Sequence, residues 1–62
     1  MLYHILDRRG SEPRLIEAVG HDHDPTAFLM AMRALSRAYQ RAGITPAMFD
    51  AVPPFEAVPV SV

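Results

Sequence analysis

At Asp24-Pro25 the apolar pattern of this chain changes period, from alternation at every second residue to recurrence every three or four. Hydrophobic period is the primary local signal of secondary structure, so the switch separates a strand-forming segment from a helix-forming one. It predicts a β-hairpin over about residues 2–19 and a helix over about residues 25–42. The expected fold is therefore α+β, a small ββα unit in which an antiparallel hairpin packs on one amphipathic helix.

Leu2 to Leu6 and Leu15 to Val19 are the two apolar runs of the hairpin, and the polar Gly- and Pro-containing stretch between them suits its turn. Pairing Asp7 with Arg14 sets Leu6 opposite Leu15, Ile5 opposite Ile16, His4 opposite Glu17, Tyr3 opposite Ala18 and Leu2 opposite Val19. Opposite charges then face each other twice. One face carries Tyr3, Ile5, Ile16 and Ala18; the other carries Leu2, Leu6, Leu15 and Val19 around His4 and Glu17. Both are largely apolar, and a single helix, expected on the Tyr3 face, covers only one.

Asp24 is a favoured N-cap and Pro25 suits the first helical turn. Phe28, Ala31, Met32, Leu35, Ala38, Tyr39 and Ala42 form the apolar stripe, with Arg33, Arg37 and Arg41 at four-residue intervals opposite. Gly43 suits the left-handed position past the helix end, with Ile44 as the apolar partner of a Schellman-type ending. Thr45 and Pro46 then start a short second helix over about residues 46–52. The Pro-containing tail, residues 53–62, is either an edge strand, giving ββαβ order, or an extended arm.

A single domain of 62 residues buries only about 60% of the surface its unfolded chain exposes, and the absence of cysteine excludes a disulfide staple. Stability has to come from helix-on-sheet packing, a partner or self-association. Half the residues are apolar and the net charge is −1, which argues against a disordered segment and against a generic polyanion binder. No apolar run approaches the roughly 18 residues of a membrane span, and no basic leader opens the chain, so a cytoplasmic location without membrane association is expected.

His21 and His23 are candidate metal ligands, but two histidines leave a tetrahedral site two ligands short, and Asp24 and Asp22 are explained by the helix N-terminus. No cofactor is expected. Residues 25–49 carry three Arg and no acid, so Arg33, Arg37 and Arg41 form an alternative surface for nucleic acid or an acidic partner. The segment after Gly43 offers no Arg, Asn or Gln to base edges, which disfavours a helix-turn-helix reader.

His4 beside Glu17 lacks a nucleophile, and so small a chain has little room for an enclosed pocket; an enzyme is not expected. The expected function is a non-enzymatic protein-protein interaction module of accessory or inhibitor type, self-associating or docking on a partner. Its candidate contact residues are Leu2, His4, Leu6, Leu15, Glu17, Val19 and Phe55.

Overall fold

The computed structural model describes residues 1–45 and 52–61. Strand β1 (Leu2–Asp7) and strand β2 (Arg14–Gly20) form the hairpin, helix α1 (Asp24–Ala42) follows, and strand β3 (Phe55–Val60) returns to the sheet. All pairings are antiparallel and the order is β2-β1-β3, so the hairpin's first strand lies in the centre. The architecture is α+β in ββαβ order, and the tail is a strand rather than an arm. The short helix expected over 46–52 falls, apart from Val52, outside the described residues.

The helix covers the Tyr3 side of the sheet. Ile5 is fully buried in a cluster with Ala31, Ala34, Ala38, Tyr39 and Phe55, and the Tyr3 ring meets Phe28 edge-on at 6.4 Å. The residues buried along α1 are Ala27, Ala31, Ala34, Ala38 and Tyr39. This line is rotated from the expected stripe, because a row of methyl groups lets helix and sheet approach closely while the larger Phe28 is displaced to the flank and left 53% exposed.

Both ends of α1 are defined by backbone geometry. The N-cap is His23 rather than Asp24: its carbonyl accepts the Ala27 N–H at 3.0 Å, and Asp24 opens the helix with its carboxylate 3.5 Å from the Met1 ammonium. An acid in the first turn still favours the positive end of the helix dipole. At the other end Gly43 has φ 68°, its N–H donates to Gln40, and Ile44 N–H donates to Tyr39, each at 3.1 Å. That is the expected Schellman ending, and Ile44 packs against the buried cluster.

The hairpin register changes midway. Asp7 pairs with Arg14 and Leu6 with Leu15 as expected, but Ile16 is an extra residue, and beyond it Ile5 faces Glu17, His4 faces Ala18, Tyr3 faces Val19 and Leu2 faces Gly20. This β-bulge shifts every later residue of β2 by one position and so exchanges its faces. Leu2 fills the room left by Gly20, where a Cβ would lie only 3.3 Å from a Leu2 methyl.

Candidate functional site

Among the described residues, no element packs on the side of the sheet away from α1, and this face is open. Strand alternation places Leu2, His4 and Leu6 of β1 there, with Leu15 and Ala18 of β2 and Glu56, Val58 and Val60 of β3. Leu15 is 51% exposed and Ala18 is exposed, while Leu2, Leu6, Val58 and Val60 are half-buried. Arg8 bonds Glu56 at 2.9 Å and borders one end. His4 lies in the middle, across from Ala18 on one side and Val58 on the other.

Of the seven expected contact residues, Leu2, His4, Leu6 and Leu15 share this face. Glu17, Val19 and Phe55 do not. The bulge turns Val19 inward against the core and brings Glu17 to the helix side, where it accepts a 3.1 Å hydrogen bond from Arg37. Phe55 is 3% exposed in the core, its ring edge-on to Tyr39 at 5.1 Å, because β3 registers Phe55 opposite Asp7 on the covered side. The considered His4–Glu17 pair is thus divided between opposite faces of the sheet. Val58 and Val60 join the face instead; their alternation with Ala57 and Pro59 was the available signal, ambiguous until β3 had a partner strand.

Neither sheet edge presents a regular row of free backbone groups. Arg8 N–H donates to Pro54 C=O at 2.8 Å, which fixes the alternation along β1–β3 and points the backbone of Phe55, Ala57 and Pro59 outward. Pro59 offers no donor there, and the Tyr39 hydroxyl makes a long 3.4 Å hydrogen bond to the Phe55 carbonyl. On β2 the bulge at Ile16 interrupts the edge. Prolines and bulges are devices by which natural sheets resist strand addition. The open face, not an edge, is the larger available surface.

The other candidates resolve differently. Of Arg33, Arg37 and Arg41, Arg37 pairs with Glu17 at 3.1 Å and Arg41 borders a cleft with Arg9 and Arg14. His21 Nδ1 accepts the His23 N–H at 2.9 Å, and His23 Nδ1 lies 2.7 Å from Thr26 Oγ1, so one nitrogen of each ring serves the turn before α1. Among the described residues no group of three or more His, Asp or Glu could hold a metal ion. An apolar hollow of about 730 Å³ between α1 and β3 is lined by Met32, Leu35, Tyr39 and Phe55, with Thr45 and Pro53 at its rim, where the connection leaves the helix and returns to the strand.

No helix among the described residues is long and apolar enough to cross a membrane. Compared with protein-family models, with curated proteins and with solved structures, the chain matches none. Its own geometry carries the functional conclusion.

Proposed function

We propose that this protein is a small non-enzymatic interaction module that docks through the open face of its sheet, by self-association or on a partner protein. The observation that carries this reading is a three-stranded sheet covered by a helix on one side, with Leu2, Leu6, Leu15, Val58 and Val60 on the other. Antiparallel sheets commonly keep one face solvated, but that face is then polar, and contiguous exposed apolar surface marks an interaction site. The separation of His4 from Glu17, the chain's lack of cysteine and the commitment of Asp7 to Arg9 and Arg14 support a binding rather than a catalytic role.

The size of the face sets the strength of the contact. Three strands about 4.8 Å apart and about 20 Å long present roughly 300 Å² in plan. A standard stable interface takes about 800 Å² from each partner. A dimer closed by this face alone is therefore weak, and a tight complex needs a partner that reaches past it onto the hairpin loop or the Arg8–Glu56 border.

Light scattering of the full chain over a wide concentration range, with binding of a hydrophobic dye, tests the reading. Leu6→Asp and Leu15→Asp are expected to abolish concentration-dependent mass and dye binding while the circular dichroism spectrum is kept. Arg33→Glu, off the sheet, is expected to leave both unchanged. A wild type that is monomeric throughout and binds no more dye than the two variants would remove the proposal.

A further inference from the structure

On the opposite side of the molecule from the open face, a cleft of about 270 Å³ lies between the mouth of the hairpin and the C-terminal half of α1. Arg9, Arg14 and Arg41 line it together with Asp7 and Glu17, and Ala34, Ala38 and Ala42 give it a smooth apolar wall. Asp7 binds the Arg9 side chain through Nε and one terminal nitrogen, each at 3.0 Å, and Arg14 through a longer 3.4 Å contact. Arg9 is also stacked 4.9 Å above the Phe55 ring, so its guanidinium is held in place. Arg14 is 73% exposed with donors to spare, and Arg41 makes no ion pair with a described residue. At the rim Glu17 is neutralised by Arg37.

Among the described residues, three guanidinium groups therefore line the cleft against the Asp7 carboxylate, with Glu17 paired to Arg37, leaving two positive charges around a space large enough for one small anion. We infer that this cleft is a binding site for a phosphate monoester group, with Arg14 and Arg41 as its principal donors and Arg9 as a fixed third. A monoester carries close to two negative charges at neutral pH, which matches the surplus; a single carboxylate or one phosphodiester carries only one. Guanidinium forks converging from hairpin and helix suit the several oxygens of a phosphate. The site is independent of the sheet face.

The test is a titration of the isotopically labelled full chain with inorganic phosphate at pH 7.5 and constant ionic strength, followed by amide signals. Saturable shifts are expected at Arg9, Arg14, Arg41 and Ala42. Arg14→Gln and Arg41→Gln, both at exposed positions, are each expected to weaken binding about tenfold, as loss of a charge-assisted hydrogen bond does. Arg33→Gln removes the same charge outside the cleft and is expected to leave affinity unchanged. The inference is overturned by shifts that do not saturate, by an equal loss in Arg33→Gln, by equal binding of succinate, or by tighter binding of a single-stranded oligonucleotide than of phosphate.

Discussion

Arg9 closes on Asp7 with three hydrogen bonds, from its backbone N–H, Nε and one terminal nitrogen, all at 3.0 Å. The pair ties the hairpin loop to the last residue of the central strand, and Arg9 extends from there over Phe55 in the core. Hydrogen bonds from the Arg9 side chain, then from its N–H, lower the Asp7 pKa from 3.8 to about 2 despite burial. A depressed carboxylate pKa stabilises the fold above the unfolded value and ceases to do so as pH falls through the folded one. Melting temperature is expected to fall between pH 4 and about 2, and Asp7→Asn is expected to lower it at neutral pH and to flatten that part of the profile. Parallel pH profiles for the two proteins would contradict the assignment.

Among the described residues Ile5 is the one large side chain fully removed from solvent, at the centre of the middle strand. Ile5→Ala is expected to cost about 2–5 kcal/mol in urea denaturation, enough to unfold much of so small a protein. Leu15→Ala, half exposed on the open face, is expected to cost well under about 1 kcal/mol. Similar midpoints for both would mean that the core lies elsewhere.

Gly43 holds φ 68°, and a Cβ built there meets nothing within 4 Å. Gly43→Ala therefore measures backbone strain alone, expected at about 1–2 kcal/mol. Gly43→Asn is expected to lose less, since Asn tolerates the left-handed region. Thermal melts of the two variants check the ordering.

Ile44 packs against the buried cluster beyond the helix end, whereas Leu29 is 49% exposed on the helix flank. Ile44→Asp is expected to lower the melting temperature more than Leu29→Asp, because only the first places a charge against the core. Equal melting temperatures would deny Ile44 its role.

The elements and their ends were legible from local chemistry. Alternation marked the strands, the recurrence after Asp24 marked the helix, and Gly43 marked its stop, since each signal is a property of consecutive residues. The cap shifted by one residue because His23 and Asp24 both precede Pro25, and capping depends on which backbone carbonyl first enters the helix. Ala27 and Ala34 lie outside the stripe that the larger apolar residues mark, yet both are buried, because close packing prefers the smaller side chain.

Which faces those elements present was decided only in three dimensions. The side-chain period of a strand is two, so the single extra residue Ile16 sends Glu17 and Val19 to the helix side and brings Ala18 beside His4. Nothing within β2 announces that bulge; it is set by pairing with β1 at both ends of the hairpin. Likewise Phe55 is core and Val58 surface because β3 chose the open flank of β1 in one register. The order of hairpin and helix was thus written in local periodicity, while the pairing of the tail as β3 and the composition of the open face and of the arginine cleft depended on register, a relation between distant residues that no local pattern encodes.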